Sequence, residues 1–132
     1  EDKEKQHSLE SLHILLVEDD NEVANVLTQI LNGLGVQVSY YNCSENVMSL
    51  IESQNLKKFD VAILDIRLGK IDGIELGHHL LNEQIAFSLL FISGDEPGQR
   101  IQQFNADYVH FLRKPIGIEQ LKRSLYKLTS HH

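Results

Sequence analysis

The chain has 132 residues, of which 42% are hydrophobic and 23% are charged, and its formal net charge is −7. This length fits one domain, the composition excludes disordered, collagen-like and coiled-coil proteins, and the acidic balance argues against nucleic acid as a direct partner. Because the chain has one cysteine, no apolar segment of about 20 residues and no signal-peptide core, we expect a cytoplasmic protein that does not cross a membrane.

The ends of the chain differ in composition from its middle. Residues 1 to about 11 are charged and carry no sustained apolar stripe, as is typical of a linker. We therefore expect a linker or flexible extension over residues 1–12, one folded domain over residues 13–129, and a tail or tag remnant over residues 130–132.

Short apolar runs alternate with helical patterns five times from His13 onward, which is typical of a parallel α/β sheet. Strands are predicted at about 13–17, 36–41, 60–64, 88–92 and 108–112. The helix after the first strand has the clearest apolar stripe, namely Val23, Val26, Leu27, Ile30, Leu31 and Leu34. The fourth predicted helix is short and poorly amphipathic, and we expect Pro97 in its first turn, where the missing N–H is not needed.

The strand pattern also predicts the topology of the sheet. Apolar runs without alternation suit strands that are buried on both faces. Five βα units with right-handed crossovers give a doubly wound sheet, and we expect the flavodoxin-like (βα)5 fold with strand order 2-1-3-4-5. Ligands of such sheets bind beyond the carboxyl ends of the strands, at the switch point between strands one and three.

Acidic side chains follow the two strands at this switch point. Glu18, Asp19 and Asp20 come directly after strand one, and Asp65 comes directly after strand three. At about 4 Å, two like charges repel by roughly 4 kcal/mol at an effective dielectric constant near 20. A fold that keeps like charges this close usually binds a cation there or uses the carboxylates in a reaction.

Four segments now fall at the carboxyl ends of strands. They are Leu-Val-Glu-Asp-Asp at 16–20, Leu-Asp-Ile-Arg-Leu-Gly-Lys-Ile-Asp-Gly at 64–73, Phe-Ile-Ser-Gly at 91–94 and Phe-Leu-Arg-Lys-Pro at 111–115. Together and in this order, they resemble the receiver domain of two-component response regulators, over about residues 13–128. The resemblance implies a signalling switch with weak autocatalytic phosphoryl transfer and autodephosphorylation rather than a metabolic enzyme.

The resemblance assigns a phosphoacceptor and a cation site. Asp65 would accept a phosphoryl group from a phosphohistidine of a sensor histidine kinase or a histidine phosphotransfer protein. The reaction would require Mg²⁺ (or Mn²⁺), which prefers oxygen ligands. Asp19 would bind the cation directly, Glu18 through water, and Asp65 and the backbone carbonyl of Arg67 would complete the protein ligands. Asp20 is the less favoured ligand, because the acid pair of the family motif aligns with Glu18 and Asp19.

The remaining motifs imply partners for the phosphoryl group and a switch. Lys114 would place its ammonium on one phosphoryl oxygen and Ser93 its hydroxyl on another, and the Lys114–Pro115 peptide bond is a cis candidate. Phe111 matches a position that rotates inward when Ser93 moves, although an ordinary core role fits it equally well. The switch would alter the surface of helix four, strand five and helix five, through which some receivers dimerise.

Three further positions bear on the phosphoacceptor site, two by matching family positions and one by departing from the family pattern. Arg67 and Asp95 match positions that tune hydrolysis of the acyl phosphate, and the two side chains are suited to an ion pair over the site. Gly69 stands where the family usually has proline, so we expect a looser loop after Asp65.

Two alternatives to the receiver interpretation are compatible with part of this pattern. One is a haloacid-dehalogenase-like phosphatase, although that class needs a second aspartate where this chain has Arg67. The other is a pseudo-receiver that binds proteins without being phosphorylated. The receiver interpretation also implies a downstream output domain or protein that responds to the switch.

Overall fold

The computed structural model describes residues 9–130, and these form one sheet with helices on both faces. The strands are β1 (His13–Val17), β2 (Gln37–Tyr41), β3 (Phe59–Asp65), β4 (Ala86–Ser93) and β5 (Val109–Arg113). The α-helices are α1 (Asn21–Gly33), α2 (Ser44–Glu52), α3 (Gly73–Asn82) and α4 (Ile118–Thr129). Every strand pairing is parallel and the strand order is β2-β1-β3-β4-β5, which confirms the predicted topology.

The apolar runs of β1 and β3 fill two core layers, one on each face of the sheet. Leu15 and Leu64 lie in the layer beside α2 and α3, whereas Leu16 and Ile63 lie in the layer beside α1 and α4. Successive strand residues point to opposite faces, so a strand covered on both sides needs apolar residues at every position. This double coverage explains why neither run alternates.

Carboxylates cap two of the helices that begin near the carboxyl edge of the sheet. Asp20 Oδ1 accepts hydrogen bonds from the backbone N–H groups of Glu22 and Val23, at 2.9 and 3.3 Å, before α1. Asp72 Oδ1 accepts from the N–H of Glu75 at 2.9 Å before α3. Each cap satisfies N–H groups that have no partner within the helix, so the third acid of the first cluster has a structural role.

The prediction of a fourth α-helix with Pro97 in its first turn is wrong. The chain instead forms a short 3-10 helix at Gln99–Gln103, and Pro97 precedes it. None of the five residues of this 3-10 helix is fully buried, and Ile101, which packs partly buried against the core layer beside α2 and α3, is the one apolar residue among them. An α-helix here would therefore lack a sustained apolar stripe. Arg100 links this segment to the start of α3, because its guanidinium lies 2.5 and 3.0 Å from the two carboxylate oxygens of Asp72.

The last residues of the predicted linker pack against the domain. Leu9 and Leu12 are buried in the layer beside α1 and α4. The carbonyl of Leu12 also accepts a hydrogen bond from the N–H of Gln37 at 3.0 Å, next to β2. Two leucines three residues apart thus cover apolar surface beside β1, and the core extends beyond the expected start at residue 13. Residues 1–8 of that linker and residues 131–132 of the predicted tail lie outside the described residues.

The helices of the described region are too short or too polar for a bilayer. No helix between residues 9 and 130 combines the length and the apolar character that crossing a membrane requires.

Candidate functional site

Three carboxylates converge at the carboxyl edge of the sheet, between β1 and β3. Val17 pairs with Leu64, so the residues that follow them, Glu18 and Asp65, leave the sheet side by side. One carboxylate oxygen from each of Glu18, Asp19 and Asp65 lies within 4.8 Å of the others. Glu18 is 0% exposed and Asp65 is 5% exposed, whereas Asp19 is open to solvent.

Within residues 9–130, a single ammonium group faces the two buried acids. Lys114 Nζ lies 2.9 Å from Glu18 Oε1 and donates a hydrogen bond to Asp65 Oδ2 at 3.1 Å. The backbone of Lys114 is held beside β4 by its N–H, which donates to the carbonyl of Ser93 at 2.8 Å, and its peptide bond to Pro115 is cis. Two buried carboxylates thus share one cation, which leaves an excess of negative charge before Asp19 is counted.

This arrangement perturbs the protonation of Glu18 and Lys114. The pKa of Glu18 is raised to about 7, chiefly by burial and also by the neighbouring Asp65 carboxylate, while Lys114 opposes the shift. Burial lowers the pKa of Lys114, but its contacts with Glu18 and Asp65 outweigh that effect and hold this pKa above its ordinary value. Near neutral pH, the Lys114 ammonium therefore stays charged while Glu18 is partly protonated.

The Glu18 shift makes stability depend on pH when no divalent cation is present. The unfolded chain releases this proton near pH 4.5, whereas the folded protein holds it up to about pH 7. The extra stability is therefore fully present below pH 4.5 and is lost as the pH rises to about 7. We expect urea denaturation in EDTA to show a loss on the order of 2 kcal/mol over this range, and Glu18→Gln to remove it. If the free energy of unfolding had the same pH dependence in the wild-type protein and in Glu18→Gln, the raised pKa of Glu18 would be contradicted.

The acid cluster has the donor chemistry of a site for a hard divalent cation. All three side chains offer carboxylate oxygens, the ligand type that Mg²⁺ prefers. Glu18 Oε1 is fully buried and, among the described residues, has only the ion-pair contact with Lys114 and no hydrogen bond of good geometry. A buried anionic oxygen without a hydrogen bond is costly, and a bound cation would remove that cost. The residues present therefore fit Mg²⁺.

The remaining predicted site residues lie around Asp65 on neighbouring loops. Ser93, at the end of β4, is buried, and its Oγ accepts a hydrogen bond from the backbone N–H of Asp95 at 3.1 Å. The N–H of Arg67 donates to Asp65 Oδ1 at 3.1 Å. The exposed side chains of Arg67 and Asp95 form an ion pair, so the expected pairing is present. Phe111 is half-buried against the core layer beside α2 and α3.

Gly69 has a backbone conformation that explains the departure from the family pattern. Its φ is +58°, whereas the ring of proline fixes φ near −65°. Proline cannot adopt this φ, so the loop after Asp65 has a backbone conformation that requires a residue other than proline at position 69. Gly73 is constrained in another way, because a Cβ at this position would lie 2.1 Å from the carbonyl oxygen of Asp65. The start of α3 can approach the end of β3 only with glycine there.

Gly69→Ala tests this backbone conformation. We expect the free energy of unfolding to fall by about 1 kcal/mol, because a left-handed conformation costs an L-residue roughly that amount. Gly33→Ala is the matched control, since Gly33 ends α1 and a Cβ there meets nothing within 4 Å. That substitution should be neutral or slightly stabilising in the same urea denaturation. Equal stabilities for the two variants would argue against a strained position at Gly69.

Sequence reasoning missed one side chain that contacts the acid cluster. The hydroxyl of Tyr40, near the end of β2, donates to the backbone carbonyl of Glu18 at 2.7 Å. Burial raises the pKa of Tyr40, and the charges of Glu18, Asp19 and Asp20 raise it further. The sequence contains only a weak signal for this contact, namely that Tyr40 lies in a strand that neighbours strand one in the predicted order.

Fold and site together define a class of protein. It is a doubly wound α/β domain with acids, a serine and a lysine gathered at its switch point. A family model described as "Response regulator receiver domain" matches residues 14–126. The chain belongs to this family: it is a receiver domain of a response regulator in two-component signalling, and such domains act as signalling switches. Receiver domains generally bind Mg²⁺ at an acidic pocket, and the match does not favour the phosphatase or pseudo-receiver alternatives.

Individual relatives agree with the family match. The chain is 29% identical over 118 residues to the transcriptional regulatory protein QseB of Haemophilus influenzae, covering 89% of this chain and 52% of that protein. It is 25% identical over 114 residues to the transcriptional regulatory protein LytR of Staphylococcus aureus, covering 86% and 46%. The chain thus spans about half the length of these relatives.

Solved structures share the fold. A response regulator receiver domain protein from Clostridium thermocellum superposes with a TM-score of 0.78 at 16% identity, covering 91% of this chain and 95% of that one. The receiver domain of an HD domain-containing protein from Pseudomonas fluorescens gives a TM-score of 0.77 at 21% identity, covering 91% and 95%.

Proposed function

We propose that Asp65 accepts a phosphoryl group from a phosphohistidine donor. The observation that carries this proposal is the ammonium of Lys114, placed 3.1 Å from Asp65 Oδ2 and 2.9 Å from Glu18 Oε1 at the switch point. One Asp65 oxygen attacks phosphorus, the P–N bond to the donor imidazole breaks with its electron pair returning to nitrogen, and a P–O bond forms. The product is an acyl phosphate on Asp65.

Each surrounding side chain has a role in this transfer. Lys114 is positioned to neutralise charge on a phosphoryl oxygen. Ser93 Oγ already accepts from the N–H of Asp95, so among the described contacts its hydroxyl proton remains to be donated to another phosphoryl oxygen. Glu18, Asp19, Asp65 and the Arg67 backbone carbonyl would hold Mg²⁺ (or Mn²⁺). When bound, this cation supplies positive charge that offsets the repulsion between carboxylate and phosphoryl group.

The exposed ion pair between Arg67 and Asp95 lies beside the phosphoacceptor and is proposed to tune hydrolysis of the acyl phosphate. The pair joins the loop after β3 to the loop after β4. Water must approach the phosphoryl group from the solvent side, where these two side chains lie. Their geometry therefore affects how long the modification persists.

Modification of Asp65 is proposed to change the surface that includes β5. Ser93 pairs with Arg113 across β4 and β5, and Phe91 pairs with Phe111, so movement of Ser93 is transmitted to the strand that carries Phe111. The responding surface comprises the 3-10 helix Gln99–Gln103, β5 and α4, because the 3-10 helix replaces the expected fourth α-helix. Dimerisation through this surface and control of an output domain or protein are part of the proposal.

The proposal is tested by chemical phosphorylation. Incubation with acetyl phosphate and Mg²⁺ should add the mass of one phosphoryl group, and EDTA should prevent the addition. Beryllofluoride with Mg²⁺ should shift amide resonances around Asp65, Ser93 and Lys114 without covalent change. A wild-type protein that gives neither response would refute the proposed function. Sustained turnover of small phosphomonoesters would indicate a phosphatase instead.

A further inference from the structure

The loop between β3 and α3, residues 66–72, is fastened to the first turn of α2. Ser44, which is fully buried, places its hydroxyl 3.0 Å from the carbonyl oxygen of Leu68 and 2.6 Å from that of Ile71. Glu45 Oε2 accepts a hydrogen bond from the backbone N–H of Lys70 at 3.2 Å. Two adjacent side chains of α2 therefore hold the loop at three points, on either side of Gly69.

These contacts are directed away from their own helix. A serine at the start of a helix usually caps that helix by accepting from its free N–H groups. The hydroxyl of Ser44 instead donates towards carbonyls of the loop, and in the part of the chain that the structure describes Cys43 gives α2 no side-chain cap. A polar group with no exposed surface must find partners, and here both partners belong to the loop after β3.

The fastened loop is in direct contact with Asp65. The N–H of Arg67 donates to Asp65 Oδ1 at 3.1 Å, and the next residue, Leu68, carries the carbonyl that Ser44 contacts. The side chain of Leu68 is buried in the core layer beside α2 and α3. A shift of the Leu68 peptide would therefore move the N–H donor that orients the Asp65 carboxylate.

We propose that Ser44 and Glu45 are positioning residues for the phosphoacceptor site. They fix a loop whose central glycine leaves it otherwise free to adopt many conformations, and they thereby fix the donor at Asp65 Oδ1. This inference rests on the proposed function, because the group they position is the phosphoacceptor carboxylate, a member of the cation site. Neither side chain touches the phosphoryl group.

The first test uses no cation. In Glu45→Ala, we expect amide hydrogen exchange at Lys70 to accelerate about fivefold, the change expected from loss of one ordinary hydrogen bond. Glu119→Ala is the matched control, since Glu119 is also an acid in the first turn of a helix, and it should leave exchange at Lys70 unchanged. Unchanged exchange in Glu45→Ala would overturn the proposal.

The second test measures Mg²⁺ affinity by calorimetry, at a temperature where all variants are folded. Ser44→Ala should weaken binding about tenfold, as is typical when a residue behind a metal ligand is removed. Ser49→Ala makes the same change on an exposed position of α2 and should not alter the affinity. A lower melting temperature with wild-type affinity would assign Ser44 a purely structural role and overturn the proposal.

Misfolding of Ser44→Ala and failure of the proposed function can each be distinguished from failure of the positioning proposal. If Ser44→Ala does not fold, the affinity of Glu45→Ala for Mg²⁺ decides the question, and a wild-type value would overturn the proposal. If the wild-type protein neither binds Mg²⁺ nor accepts a phosphoryl group, the proposed function fails. The exchange measurement at Lys70 still reports on the loop contacts in that case, so the two failures are distinguishable.

Discussion

Asp65→Asn is expected to abolish phosphorylation by acetyl phosphate in the presence of Mg²⁺. An amide nitrogen or oxygen does not form the acyl phosphate, so the rate should fall below detection, by at least about 1000-fold. The fold should persist, because the asparagine side chain keeps an oxygen that can accept from the N–H of Arg67. The measurement is intact mass over time for both proteins at equal concentration.

Asp107→Asn is the matched control for this experiment. Asp107 is exposed in the turn before β5, and the same substitution there should leave the rate unchanged. Without Mg²⁺, Asp65→Asn should also raise the melting temperature, because it removes one of two carboxylates that share the Lys114 ammonium. An undiminished adduct on Asp65→Asn would place the phosphoryl group on another residue.

Lys114→Met is expected to have the largest effect on stability. The substitution leaves Glu18 and Asp65 buried without their shared cation, and breaking a buried ion pair from one side costs about 3 kcal/mol. Partial exposure of the ammonium reduces this cost, so we expect a loss of about 2 kcal/mol in urea denaturation near pH 8. The methionine keeps most of the apolar stem, which isolates the effect of the charge.

The loss in Lys114→Met should shrink as the pH falls. Glu18 takes up a proton at about pH 7 in the wild-type protein, and a protonated Glu18 does not need the ammonium. Lys57→Met, at an exposed position before β3, is the control and should change stability by less than about 0.5 kcal/mol at any pH. A loss of equal size near pH 5 and near pH 8 would contradict the coupling between Lys114 and Glu18.

The sequence predicts the sheet well because its central strands carry a strong signal. The uninterrupted apolar runs at 14–17 and 61–64 specify burial on both faces, and parallel register then brings Glu18 and Asp65 together. The 3-10 helix at Gln99–Gln103 was mispredicted because the expected alternation of strand and helix outweighed its weak apolar pattern. Local sequence does not specify a helix that lacks an apolar face.

Contacts between distant residues account for what the sequence could not predict at the site. Gly69 was identified as a departure from the family pattern, but the hydrogen bonds that fasten its loop come from Ser44 and Glu45, about 25 residues earlier. The contact of Tyr40 with the Glu18 carbonyl likewise requires the pairing of β1 with β2. Such contacts follow from tertiary packing and have no local periodicity.

The 3-10 helix Gln99–Gln103 gives the domain a region of low local stability. It buries no side chain fully, although Ile101 packs partly buried against the core layer beside α2 and α3. Its polar attachments to α3 are a contact of His78 Nε2 with Gln103 Oε1 at 3.2 Å and a bidentate ion pair between Arg100 and Asp72, at the start of that helix. An exposed pair of this kind contributes at most about 1 kcal/mol and weakens with ionic strength. Opening of this segment should therefore need far less free energy than global unfolding, and salt should increase its open population while the sheet stays intact.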